Sequence, residues 1–237
     1  MPKRYWGIIL SYVLIAQLSA IVGVKFLYET TGLDKYHAVA IWSVISFAIT
    51  TLITLLCLRP DMKEASMRSD KASAGKTALW AIAGVFLALF SQAIAAYIES
   101  LFGIKSASEN TMSLMEIARR APIFILIPVI FAPILEEIIF RKIVFGSIYK
   151  RTNFLIAVVI SALVFGLFHF DITHLFVYFA MGVVFAFLYV KTNRIITPII
   201  AHMAMNLLVV LTQFNLTEEK IRQLQEQMQT IFTGGFM

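Results

Sequence analysis

Charge is scarce in this chain. Only 14% of its 237 residues are Asp, Glu, Lys or Arg, against 59% hydrophobic, and the mean hydropathy is +0.83. That balance excludes an ordinary soluble domain, in which about a quarter of residues are charged. Cysteine is almost missing too. The lone Cys57 lies in an apolar run, which excludes an intrachain disulfide and a thiolate zinc site. There is no HExxH motif, no internal repeat and no low-complexity segment. Nor are there two related halves with paired Gly- or Pro-broken helices, the pattern that would favour a transporter or proton relay. The net charge of +6 needs no nucleic acid to explain it, because lysines and arginines suit loops facing anionic lipid.

What is present is apolar length. Runs near the roughly 20 residues that cross a bilayer recur at 5–27, 38–58, 78–98, 121–149, 154–173, 175–190 and 195–212. They predict an all-α, polytopic membrane helix bundle of seven to eight transmembrane helices in a single membrane domain. Its parts are N-terminal spans with an interfacial segment (1–119), a core (120–212) and a C-terminal surface helix (213–237). The N-terminus has the basic start of a secretory signal, but the apolar stretch is long and no A-x-A site follows, so a retained signal anchor is expected. A cytoplasmic N-terminus puts thirteen of the twenty Lys and Arg residues on the cytoplasmic side, as the positive-inside rule favours. Residues 59–77 read as a flexible cytoplasmic loop, and 107–120 as a helix lying along the interface. His37 is expected in a solvated loop, and Asp171 and His174 in an ordinary polar turn.

One apolar run, IPVIFAPILEEIIFRKIVF, carries charges that need a reason. Ionisable groups at the centre of a membrane helix cost roughly 2.5–3.5 kcal/mol each. Glu137 and Arg141 stand four apart and can pair on one helical face, which leaves Glu136 without a partner in its own turn. The residues that could answer it lie on other helices. His169 ends the run FGLFH, one turn after Phe165, and His202 and Asn206 share a face of HMAMN. Glu136 and His169 stand equally far along the chain from the turn at 150–153. At about 1.5 Å per residue, both would lie roughly 25 Å from it in antiparallel helices, with Phe140 and Phe165 matched one turn lower.

If these side chains share a pocket, Glu136 can take a proton from a water held against His169. His202 and the Asn206 amide can then donate to the oxyanion of an attacked carbonyl. That chemistry hydrolyses a peptide bond. A metal version, with Glu136, His169 and His202 as ligands of one divalent ion, zinc first, stays open beside the metal-free one.

The ordered set EEIIFR (136–141), FGLFH (165–169) and HMAMN (202–206) resembles the EExxxR, FxxxH and HxxxN motifs of the CPBP intramembrane proteases. These are the CAAX-processing endopeptidases and their bacterial Abi relatives, and the resemblance covers about residues 120–210. It implies that Glu136 is the catalytic carboxylate, His169 its water-positioning partner, and His202 with Asn206 the oxyanion pair. Glu137, Arg141 and Phe165 are implied as supporting residues. It implies a peptide or protein substrate at the lipid bilayer, no nucleic acid, and a family described both as metalloproteases and as metal-free glutamate enzymes. The compact chain resembles the bacterial members, linked to peptide maturation, quorum-signal processing and bacteriocin immunity, and so implies the bacterial plasma membrane. A non-proteolytic scaffold or immunity protein retaining the fold is the alternative.

Overall fold

Helix starts and stops are written into the turns between the apolar runs. Asp34, Ser73, Ser108 and Asn153 each accept backbone N–H bonds at a helix start, which satisfies donors that the first turn leaves open. Left-handed residues end helices at Gly32 and Asn193. The computed structural model describes residues 1–67, 69–104 and 108–215. In order, the helices are α1 (Lys3–Thr31), α2 (Lys35–Cys57), α3 (Arg59–Met67), α4 (Ala74–Leu101), α5 (Glu109–Arg120) and α6 (Pro122–Tyr149). They continue with α7 (Phe154–Leu167), α8 (Ile172–Thr192) and α9 (Ile196–Asn215). Among the described residues there is no strand, and six helices are long and apolar enough to cross a membrane, with α7 a shorter apolar one. The protein is a polytopic helical bundle.

The α4 helix packs on α8 and α9, α7 packs on α8 and α6, and α9 meets the start of α6; α1 and α2 pair with each other and lie against α6. Small residues let the helices approach, as membrane interfaces require where burial from water supplies no drive. A Cβ on Gly182 of α8 would stand 2.8 Å from the Ala162 Cβ of α7.

Several expectations need correction. The fifth span does not run to 173, because α7 stops at Leu167 and Phe170 adopts a left-handed φ of 53°. That geometry turns the chain into the short 3-10 segment Ile172–His174 instead of extending the helix. Residues 59–77 are not simply a loop. Their first half is α3, held because the buried Asp61 accepts from Arg4 Nε at 2.9 Å and from the Tyr5 hydroxyl, with Lys142 Nζ at 3.5 Å. Burial alone would raise the Asp61 carboxyl, but these partners hold it below the ordinary carboxylate range. His37 lies in the first turn of α2, exposed and 2.5 Å from Asp34. His174 lies in the turn as expected but is more than an ordinary turn residue: it is buried and its Nδ1 is 2.8 Å from Glu99 of α4. The surface helix expected at 213–237 lies, beyond Asn215, outside the described residues.

Candidate active site

A cavity of about 360 Å³ opens between α1, α2 and α5 on one side and α6 to α9 on the other. Glu136, His169, His202 and Asn206 all line it, from three separate stretches of chain. The antiparallel hairpin of α6 and α7 brings the first two together, and the rings of Phe140 and Phe165 meet edge to face at 5.3 Å.

The two adjacent carboxylates do different things. Glu137 has no exposed surface and neither has Arg141; they pair at 3.1 Å within one turn. The other Glu137 oxygen, Oε1, lies 3.0 Å from His202 Nδ1 on α9. A carboxylate held by a guanidinium is ionised and can only accept, so Nδ1 carries the proton and Nε2 is the edge that His202 turns to its surroundings. Glu137 is therefore the hub that orients His202. The cost of burying Arg141 is offset further by the Phe165 ring, 4.6 Å below the guanidinium, and by Ser161 Oγ at 3.4 Å from Nη1. Phe185 stacks flat on His202 at 4.6 Å.

Glu136, by contrast, makes no hydrogen bond to any described residue. Its carboxylate is 12% exposed and stands 3.9 Å from His202 Nε2. That distance is too long for a direct hydrogen bond, and it leaves both groups free to touch one water lying beside them in the cavity. His169 Nδ1 lies 2.9 Å from the Phe165 carbonyl, which can only accept, so Nδ1 donates and Nε2 keeps its lone pair. Tyr178 of α8 stacks on the His169 ring at 4.0 Å and Phe165 packs edge-on at 4.7 Å, fixing its plane. The Asn206 amide is partly engaged. Its Nδ2 donates to the Pro128 carbonyl at 2.7 Å, which leaves one of its two N–H bonds for a ligand.

Among the described residues no three His, Cys, Asp or Glu side chains are arranged to hold one metal ion. As placed, Glu136, His169 and His202 do not form a ready ligand set, and the geometry carries no step through a metal.

Sequence reasoning did not find Tyr178, Phe185, Tyr12 or Gln17, all near these groups. Aromatic rings and a lone amide in apolar helices are ordinary, and no signal in the sequence marks them. The polar rim of Ser108, Asn110 and Asp171 was equally hidden. Ser108 Oγ donates to Asp171 at 2.6 Å, and the Asn110 amide reaches the Tyr178 hydroxyl at 3.3 Å.

Comparison with known proteins adds three findings. A family model for Rce1-like type II CAAX prenyl endopeptidases matches residues 118–208, which hold Glu136, His169, His202 and Asn206. Over its whole length the chain is 45% identical to YdiL of Bacillus subtilis (strain 168), named as a membrane peptidase, across all of that protein. It is 32% identical to the membrane-embedded CAAX protease MroQ of Staphylococcus aureus (strain USA300), with 97% of each chain covered. No solved structure matches.

Proposed function

We propose, from the premise that the chain belongs to the CPBP family of membrane-embedded CAAX-type proteases, that it cleaves a peptide bond inside the membrane with a water activated by Glu136. The observation that carries this reading is the contrast between Glu137, satisfied on both oxygens, and Glu136, unbonded at the cavity wall beside His202. In the cycle, Glu136 and His169 Nε2 accept the two protons of one water. Glu136 then takes a proton while the water oxygen bonds to the scissile carbonyl carbon. The negative charge that develops on the carbonyl oxygen is met by the remaining N–H of Asn206 and by His202 Nε2 when that nitrogen carries a proton. The C–N bond then breaks, Glu136 returns its proton to the departing nitrogen, and a carboxylic acid, which keeps the second proton of the water, leaves with an amine.

The substrate is a membrane-associated or exported peptide or small protein, without need of a prenyl group, in peptide maturation, quorum-signal processing or bacteriocin immunity. The N-terminus faces the cytoplasm. What supports that orientation is one basic end of the bundle, where Arg4 and Lys142 meet Asp61, and Arg194 Nε donates to the Ala72 carbonyl at 2.6 Å.

The test uses purified protein in proteoliposomes with a library of quenched fluorescent peptides. Glu136→Gln is expected to lower kcat by about 10² to 10⁴ while the protein reaches the membrane at the wild-type level. A Glu136→Gln variant as active as wild type would sink the reading. Activity after chelator dialysis, with metal content measured alongside, checks the metal-free route, which full activity at sub-stoichiometric metal supports.

A further inference from the structure

The α1 helix reaches the cavity through an unusual turn. Residues Tyr12–Leu18 form a π-helical stretch, a form that is rare and concentrates at functional sites. On an α-helix, residues five apart are turned by about 140° from one another, whereas a π-turn, bonded from i to i+5, brings them together. Tyr12 and Gln17 are five apart, and Gln17 Nε2 donates to the Tyr12 hydroxyl at 3.0 Å. Both line the cavity.

The phenol is 3% exposed, with its ring packed on Phe47 at 6.4 Å and on Phe168 at 6.3 Å. Its oxygen receives the Gln17 proton, and among the described residues its own O–H has no acceptor. A buried donor left unpaired costs roughly what a lost hydrogen bond does, so its persistence at the wall of a cavity calls for a partner there. The α9 wall is short of donors. Asn206 keeps only one free N–H, and His202 gives its Nδ1 proton to Glu137. Tyr12 also lies within electrostatic reach of Glu136 and lines the same cavity as Asn206.

We propose that Tyr12 is a further catalytic residue: its hydroxyl, oriented by Gln17, donates a hydrogen bond to the oxyanion of the tetrahedral intermediate alongside Asn206. The bond forms as charge builds on the carbonyl oxygen and is returned when the carbonyl re-forms, with no net proton transfer. The assignment rests on the protease reading above and adds a residue from the first span to it.

The experiment compares Tyr12→Phe, Gln17→Leu and Glu136→Gln in proteoliposomes, on the quenched peptide that wild type cleaves best. Affinity is also measured for a phosphinate copy of that peptide, which mimics the tetrahedral centre. Tyr12→Phe keeps the ring contacts and is expected to lower kcat about 10²-fold with KM little changed. It should weaken phosphinate binding by a similar factor, and leave the thermal midpoint in detergent where it was. Gln17→Leu should give a smaller fall in kcat of the same kind. Tyr12→Phe with wild-type kcat overturns the proposal, as does a loss shared equally by KM, phosphinate and unreactive peptide. If Glu136→Gln is fully active, the protease reading itself has failed; if it is dead while Tyr12→Phe is unaffected, only the role of Tyr12 has.

Discussion

Among the described residues, two buried carboxylates each meet a histidine at hydrogen-bond distance, and only one of these pairs faces the cavity. Glu137 and His202 meet at 3.0 Å between α6 and α9, and Glu99 and His174 meet at 2.8 Å between α4 and the start of α8. Burial is alike, and so is the nitrogen used. Their surroundings differ. The Glu99 carboxylate is completed by the Val177 backbone N–H at 3.3 Å, so the pair fastens the start of α8 to the end of α4. The Glu137 carboxylate is completed by Arg141, and its histidine turns the other nitrogen toward a second, unbonded carboxylate on the cavity. A buried ion pair is thus weak evidence of chemistry; an unsatisfied neighbour beyond direct hydrogen-bond reach, free to touch a water in the cavity, is stronger.

The comparison can be broken at either end. Glu137→Gln strikes hardest, because it leaves Arg141 buried without its counter-charge and His202 without its acceptor. A loss of about 3–5 kcal/mol in stability is expected, together with a 10- to 100-fold fall in kcat from a loosened histidine. Thermal melting in detergent and peptide cleavage read the two separately. Glu99→Ala should remove about 1–3 kcal/mol by stranding His174 and the Val177 N–H, yet leave kcat of the folded fraction unchanged. A tenfold drop in its kcat would erase the distinction between the pairs. The smallest effect belongs to Asp61→Asn, about 1 kcal/mol, since Arg4 is partly exposed and water screens the pair. The depressed carboxyl stabilises the fold above the ordinary value of about 3.9, and that contribution is lost as pH falls through its lower folded value. Melting followed against pH should show this acid limb in wild type and a flatter one in the variant.

Glu136, Glu137 and Arg141 were legible because charge inside an apolar helix is an anomaly that sequence displays directly. Counting outward from the turn at 150–153 put Phe140 beside Phe165, and the rings do meet, although Glu137–Phe145 is π-helical and does not keep the α-helical rise that the count assumed. The end of α7 was hidden, since it is set by the backbone of Phe170, and hydropathy carries no record of φ. Glu99 and His174 are far apart in sequence, and nothing local links a histidine at the start of α8 to the end of a helix four elements earlier. Tyr12 and Gln17 escaped for a related reason: an ideal helix drawn through α1 separates them, and only the π-turn joins them.

The shortness of α7 has a consequence for hydration. Its 14 residues rise about 21 Å, well under the roughly 30 Å of hydrocarbon that a bilayer presents. The stretch from Phe168 to Asp171 therefore leaves the helix before a full span is complete, and non-helical backbone at membrane depth persists only when sheathed in protein or lining a wet cavity. Phe168, His169 and Phe170 line the cavity. The end of α7 thus sets His169 on non-helical backbone at the cavity wall, the kind of place where water keeps such backbone satisfied.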